Sequence, residues 1–261
     1  MFPGVHVART IVDLLWRDHP AATTRGARGP RAKVSTTRTV EAAVALADAD
    51  GLGALTLRRL AAHLGVAVNA LYTHVGSRDD LLVLMADTVR AGRPRLPWPP
   101  DQEWPVRVRH LAHAELETCL AHTWLLDVTD QRTALGPGTI ATYDHQLHAL
   151  DGTALGNVER DAALTFLLDF VHASARSRRP EPHAVDMATT WADTHERLGV
   201  YVGDAYPLAR RVGAAAGAAM QAPYSAAHAW SFGLERVLDA LHALVGPRAD
   251  ERAERPWPTG G

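Results

Sequence analysis

Cysteine and lysine are almost absent from this 261-residue chain, which has one of each, Cys119 and Lys33. One cysteine excludes an intramolecular disulfide framework and any metal site built on paired cysteines. With a single lysine, nearly all of the 27 basic groups are arginine. Long apolar runs are missing too. The longest stretch without a charge, Val212–Leu234, is mostly alanine and is interrupted by Gly213, Gly217, Gln221, Pro223, His228 and Gly233. A membrane span wants about 20 large apolar residues, so none is expected. Near the start, Pro3 and Gly4 precede a short Val5–Trp16 stretch carrying Arg9 and Asp13, with no small-residue cleavage site after a long apolar run. That is not the pattern of a secretory signal, and a soluble, cytoplasmic protein is expected. The chain also lacks G-x-S-x-G, HExxH, a Walker loop and G-x-G-x-x-G; Gly51-x-Gly53 has no third glycine. Without these, no catalytic residue, resident metal or cofactor is expected.

The formal net charge of −2 conceals an asymmetry. Residues 1–95 carry 13 basic and 8 acidic groups, a net of +5, which leaves −7 for residues 96–261. Such a division suggests different partners for the two segments. Arg25, Arg28, Arg31, Lys33 and Arg38 follow one another with no acid between them, among glycine, proline and threonine. Residues 1–34 therefore read as a flexible basic arm. The arm is either a solvated tail or a strand of charge that meets DNA phosphates or a minor groove through Arg28 and Arg31.

Ordered structure is expected from Ser35-Thr36-Thr37, whose hydroxyls suit a helix start. Val40, Ala43, Val44 and Ala47 then recur at helical spacing, and Gly51 and Gly53 end that helix. A second helix opens at Thr56 with Leu57, Leu60, Ala61 and Leu64 inward, and Gly65 stands where a C′ glycine would. A short third helix covers about Val68–Val75. Gly76 stops it, and Ser77 with Asp80 fits a capping box for a fourth. Two short helices around a glycine turn make a helix-turn-helix, which sends its second helix into a DNA major groove. An ordinary helical hairpin would use the same turn.

Residues 56–66 (Thr56 through Leu60-Ala61 to Gly65-Val66), then Ala70-Leu71-Tyr72-Thr73-His74-Val75, then Ser77-Arg78-Asp79-Asp80-Leu81-Leu82, resemble the DNA-binding domain of TetR-family transcriptional regulators. Glu41-Ala42-Ala43 through Asp50-Gly51-Leu52 resembles the first helix of that domain, and the match spans about residues 35–92. The resemblance implies that Tyr72 hydrogen-bonds a phosphate, or packs on the hairpin, or both. It places His74 at the DNA backbone or as a cap, Arg78 beside a phosphate where the family usually has lysine, and Arg58 within reach of a phosphate or base edge; its neighbour Arg59 reads as a solvated charge. Sequence reading would come from Val68, Asn69, Ala70 and Thr73. Asn69 suits adenine, and Val68 or Ala70 suits a thymine methyl. Ala67 replaces the expected Ser/Thr cap.

The rest resembles, more loosely, the ligand-binding half of the tetracycline-repressor branch, through Thr123-Trp124-Leu125, Leu135-Gly136-Pro137 and Phe232-Gly233-Leu234-Glu235. Pro94, Pro97, Pro99 and Pro100 form a linker, and Pro105 fits the first turn of a helix running to about His122. Helical patterns follow over 139–150, 157–178, 184–199 and 224–245; residues 208–220 read as helix or loop, and no period-2 strand is evident. The expected fold is all-α: a basic arm (1–34), a three-helix helix-turn-helix DNA-binding domain (35–92), a helical ligand-binding and dimerisation domain (93–246) and a flexible tail (247–261).

Residues 157–178 and 224–245 carry the pattern of a homodimer interface. The first has Leu164, Leu167, Leu168 and Val171 in one stripe with Phe166 and Phe170 beside it. The second aligns Ala227, Trp230, Leu234, Val237, Leu238, Leu241 and Leu244. Pairing with their copies would make a four-helix bundle; filling a single chain's core would use the same stripes. The resemblance implies a small-molecule effector pocket, with Trp104, His113, Glu117, Trp124, Tyr143, Leu147, Phe166, Phe170 and Trp191 on the helices that line it. The function implied is a ligand-responsive regulator, more often a repressor, released from a palindromic double-stranded operator by a hydrophobic or aromatic molecule such as an antibiotic or secondary metabolite. Three alternatives stay open. They are an activator of the same family, a helical metal or small-molecule enzyme using His110, His113, Glu117, Cys119 and His122, and an interaction protein whose hairpin only packs.

Overall fold

In the computed structural model, residues 10–22, 34–179, 187–222 and 224–245 are described. Arg25, Arg28, Arg31, Lys33 and the 247–261 tail lie outside them. Every regular element among the described residues is helical, and no helix there is long and apolar enough to cross a membrane. The elements are α1 (Ile11–Leu15), α2 (Thr36–Asp50), α3 (Leu57–Leu64), α4 (Val68–Val75), α5 (Arg78–Ala91), α6 (Trp104–Ala121), α7 (Pro137–Leu147), α8 (Asn157–Ser177), α9 (Met187–Val202), α10 (Pro207–Met220) and α11 (Ala226–Val245). Short 3-10 turns cover Thr123–Asp127, Gln131–Leu135 and His148–Leu150.

Local chemistry sets the helix starts. Ser35, Thr56 and Ser77 each accept the backbone N–H three residues on, from Arg38, Arg59 and Asp80 at 3.0–3.1 Å. One expectation changes here. Ser77 makes its half of a capping box, but the Asp80 carboxylate binds Arg132 Nη1 at 2.6 Å. A charged donor on the carboxylate is a stronger partner than a neutral backbone N–H.

The chain divides into two compact units at Leu164–Thr165, beyond the proline linker where the sequence places the boundary. In the first unit, Val40, Ala43, Leu60, Leu71, Val75, Leu84 and Met85 fill the core of α2–α5. Part of the segment expected to be a flexible arm is ordered instead. Thr10 and Asp13 form a reciprocal capping box around α1, and Leu14 and Leu15 are buried in that same core. Trp16 Nε1 donates to the Leu135 carbonyl at 2.9 Å. Five residues of helix are too few for apolar periodicity to register in the sequence, yet Ile11, Leu14 and Leu15 share a face at i, i+3, i+4 spacing.

Helix α7 packs against α5. Gly136 and Pro137 open α7, and Asp87 Oδ1, buried on α5, accepts the Thr139 N–H at 2.8 Å. Thr142 Oγ1 donates to the Arg90 carbonyl at 3.1 Å, and Arg90 Nη1 donates to Thr139 Oγ1 at 3.2 Å. Burial lowers the Arg90 pKa, against the pull of Glu115 and Asp87. Arg107, buried near the start of α6, donates to the carbonyls of Gln102, Ala149 and Asp151.

In the second unit, α9 and α10 meet where the Trp191 ring lies against Gly217; a Cβ on that glycine would be 2.7 Å from the indole. The 208–220 segment, readable as helix or loop, is helical. Phe170 stacks on Trp230 with ring centroids 5.3 Å apart, and Arg178 lies over the Trp230 ring. The two apolar stripes of α8 and α11 are mostly buried already: Leu164, Leu167, Val171, Trp230, Leu234, Val237, Leu238 and Leu241 are all inaccessible in a single chain. What these helices leave exposed includes Val158, Phe166 and Phe232.

Candidate functional site

The helix-turn-helix is built as its spacing predicts. Gly65 takes a left-handed φ of 66°, and the Gly65 and Val66 N–H groups return to the carbonyls of Ala61 and Ala62. This closes α3 and aims α4. Leu71 and Val75 face the core, while Asn69, Tyr72 and Thr73 share the exposed face of α4. Val68, Ala70 and His74 are half-buried. The Tyr72 hydroxyl has no hydrogen-bond partner among the described residues, so its polar tip is available to an outside acceptor. Thr73 Oγ1 donates to the Ala70 carbonyl at 2.7 Å, which leaves its methyl and lone pairs for a partner. Ala67 makes no side-chain cap, as its lack of a hydroxyl implies.

The basic residues divide by partner. Arg59 binds Asp50 at 2.6 Å. Arg58 is exposed with no ion-pair partner among the described residues. Arg78 donates to the carbonyls of Leu52 at 3.3 Å and Leu55 at 3.5 Å, bracing the loop between α2 and α3. That still leaves guanidinium donors for a phosphate. Thr36 Oγ1 donates to the His74 carbonyl at 3.1 Å, tying the start of α2 to the end of α4.

Also in the first unit, the linker, α6 and α7 line an open cavity of about 310 Å³. Arg93, Pro94, Arg95 and Leu96 form one side; Leu111, Ala114, Glu117 and Thr118 come from α6, and Thr142, His145 and Gln146 from α7. Of the residues expected at an effector, Glu117 lines this cavity. Trp124 is fully buried in the core of α1–α5, with Nε1 donating to Asp48 Oδ1 at 2.6 Å. Tyr143 is exposed and donates to Asp161 at 2.7 Å, which raises its pKa. His113 is exposed, and Trp104 and Leu147 are half-buried outside the lining. In the second unit, Phe166 is exposed, and Phe170 and Trp191 pack on Trp230 and Gly217. The linker arginines of this lining are marked in the sequence only by the prolines around them, and His145 by nothing near it in the chain.

His145 fastens the linker. Its Nε2 accepts the Leu96 N–H at 3.0 Å, and Trp98 stacks on the ring at 5.1 Å while its Nε1 donates to the His145 carbonyl at 3.1 Å. An accepting Nε2 must be unprotonated. Burial lowers the His145 pKa, helped by Arg95, His148 and Arg93 and opposed by Asp144. As pH falls, the unfolded chain takes up this proton first. The contribution of His145 to stability is therefore complete above about pH 6.5 and is lost as pH falls through the lower folded value. The drop in urea midpoint between about pH 7.5 and about pH 5.5 should shrink in His145→Gln, which keeps an acceptor but cannot titrate. An undiminished drop would refute the assignment.

Residues 40–85 match the family description "Bacterial regulatory proteins, tetR family", and residues 96–245 match "Tetracyclin repressor-like, C-terminal domain". The HTH-type transcriptional repressor DrrR1 of Streptomyces coeruleorubidus is 31% identical over 257 residues, covering 95% of this chain and 90% of that relative. Among solved structures, ActR of Streptomyces coelicolor in complex with actinorhodin superposes with a TM-score of 0.68 at 27% identity, over 82% of this chain and all of the other. The same protein in complex with (S)-DNPA gives a TM-score of 0.66, also at 27% identity, over 81% of this chain and 98% of the other. The helix-turn-helix, the all-helical remainder and these likenesses agree: the chain belongs to the TetR family of DNA-binding bacterial transcriptional regulators.

Proposed function

We propose that this regulator is a cytoplasmic repressor that acts by binding rather than by catalysis. Two copies hold a palindromic operator, and a small hydrophobic or aromatic effector in the cavity of the linker, α6 and α7 releases it. The observation that carries this reading is the exposed Asn69-Tyr72-Thr73 face of a braced α4, with the unpaired cation of Arg58 on α3. Val68 and Ala70 at the rim of that face would meet apolar base edges, and His74 and Arg78 would flank the phosphates. The effector reading is supported by the ligand complexes that ActR forms. Beyond Glu117, Trp104, His113, Tyr143 and Leu147 on α6 and α7 are proposed as further effector contacts; for Phe166, Phe170 and Trp191, in the second unit, an effector role rests on the family resemblance alone. The exposed Phe166 and Phe232 on α8 and α11 suit contact with a second copy. An enzyme built on residues 110–122 finds less support, because His122 is held by Asp48 at 2.8 Å and His113 and Glu117 are exposed.

An effector shifts a two-state equilibrium only by binding the released state more tightly than the DNA-bound one. Gel-shift titrations against the upstream and neighbouring promoters test the DNA half directly. Tyr72→Ala should weaken operator binding about tenfold or more, as expected for removing a hydrogen bond to a charged group. Arg58→Ala should weaken binding and flatten the log–log salt slope by about 0.9 for each phosphate that the side chain neutralises. Folded protein that shows no salt-sensitive binding to any of these promoters overturns the proposal.

A further inference from the structure

The cavity's lining also bears on the charge of its ligand. Most of its polar groups are already spent within the protein. Arg93 forms an ion pair with the buried carboxylate of Glu115, which also accepts from Gln146 Nε2 at 3.0 Å. Thr118 Oγ1 donates to the Ala114 carbonyl at 2.8 Å, and Thr142 Oγ1 to that of Arg90. Arg95 differs. Its Nη1 donates to the Ala141 carbonyl at 2.5 Å, and among the described residues it has no carboxylate partner. A guanidinium has about five N–H donors in a fixed fork, so most of this one is unspent.

Arg95 is also held in place. Pro94 and Pro97 restrict the backbone on either side, and the next residue, Leu96, is fastened to His145 through its N–H. A donor fork anchored at the rim of a largely apolar chamber is preorganised for an oxyanion. Arg95 and Arg93 both disfavour the charged form of His145, as a positive local field would. Glu117 is the other unspent charge. It comes from α6, pairs with neither arginine, and is suited to a hydroxyl or ammonium donor on a ligand.

We propose that the cavity selects aromatic ligands bearing an anionic group, a carboxylate, phenolate or sulfonate, and that Arg95 is the residue that recognises that charge. This rests on the reading of the cavity between the linker, α6 and α7 as the effector site. Arginine hydrogen bonds to such anions, bidentate where the group offers two oxygens, are directional and stronger than neutral hydrogen bonds. A neutral analogue would forgo that pairing, while its ring system keeps the same apolar walls, and the difference is the discrimination.

Two fluorescent probes with one ring system separate the effects: 8-anilinonaphthalene-1-sulfonate, which is anionic, and N-phenyl-1-naphthylamine, which is neutral. Titrated into the full chain, the anionic probe should bind about tenfold more tightly than the neutral one, the scale of one charge-assisted hydrogen bond. Arg95→Gln, at an exposed position, should remove that preference by weakening the sulfonate probe while sparing the neutral one. Ala114→Trp and, independently, Thr118→Phe should fill the cavity and abolish both; circular dichroism checks folding. If cavity filling abolishes both probes but they bind equally to the wild type, or Arg95→Gln leaves the sulfonate probe unaffected, the anion inference falls and the cavity reading stands. If neither filling variant affects either probe, the cavity is not the site and both readings fall.

Discussion

Trp124→Ala should destabilise the protein by about 3–5 kcal/mol, the range for removing a fully buried tryptophan. Trp124 is entirely inaccessible and packs into the core of α1–α5 although it lies just beyond the end of α6. Its removal leaves a cavity in that core and takes one donor from Asp48, whose Oδ1 receives both the indole N–H at 2.6 Å and His122 Nδ1 at 2.8 Å. Trp124→Phe separates the two terms. It keeps most of the buried area and should cost less, with about 1 kcal/mol assigned to the hydrogen bond. Urea denaturation followed by far-UV circular dichroism reads both variants without relying on the deleted fluorophore. A cost below about 1 kcal/mol for the alanine variant would mean that the site collapses around the gap, which is inconsistent with a close-packed core.

Gly138→Ala should also be damaging, for the opposite reason. A Cβ at this position would fall on the Asp87 carbonyl oxygen and lie 2.8 Å from Ala91 Cβ and 2.9 Å from Ala91 N. Two of these are backbone atoms of α5 and cannot swing aside, so α5 and α7 must separate. Overpacking of this kind costs about 1–3 kcal/mol, occasionally more. Because α5 also packs on the helix-turn-helix, operator affinity should fall together with the urea midpoint. The position is informative beside its neighbours. At Gly136 the new methyl would fall on the Asp87 carboxylate, which can rotate at the expense of its bond to Thr139. At Gly53, where a Cβ meets nothing within 4 Å, alanine should change stability by less than about 0.5 kcal/mol. A Gly138→Ala protein as stable as Gly53→Ala would show that the two helices have slack.

The parts of this molecule that were legible in its sequence are those determined within one turn of helix. Ser35, Thr56 and Ser77 mark helix starts because a hydroxyl three residues before an orphan N–H is a local fact. Gly65 marks the turn because few other residues accept its φ. The reading face of α4 follows from the same periodicity that buries Leu71 and Val75. What escaped depends on distant pairs. Asp80 abandons its capping box for Arg132, 52 residues on. His145 meets a backbone N–H 49 residues earlier, and the cavity that it borders is assembled from two helices and a linker. Trp124 looked like a pocket residue because aromatics line pockets as readily as they fill cores, and no pattern within a single helix separates the two. The apolar stripes of α8 and α11 posed the same ambiguity, and most of their length turned out to be interior.

Helix α1 changes what a shortened chain can teach. Removing residues 1–34 would look like the removal of a charged tail, yet it would also withdraw Leu14 and Leu15 from the core and strip the Leu135 carbonyl of its indole partner. Arg17, which reaches the Leu14 carbonyl and the Thr37 hydroxyl, would go with them. Weaker operator binding by such a truncation would confound missing electrostatics with a loosened scaffold. A clean dissection neutralises Arg25, Arg28 and Arg31 by substitution and leaves residues 10–22 in place.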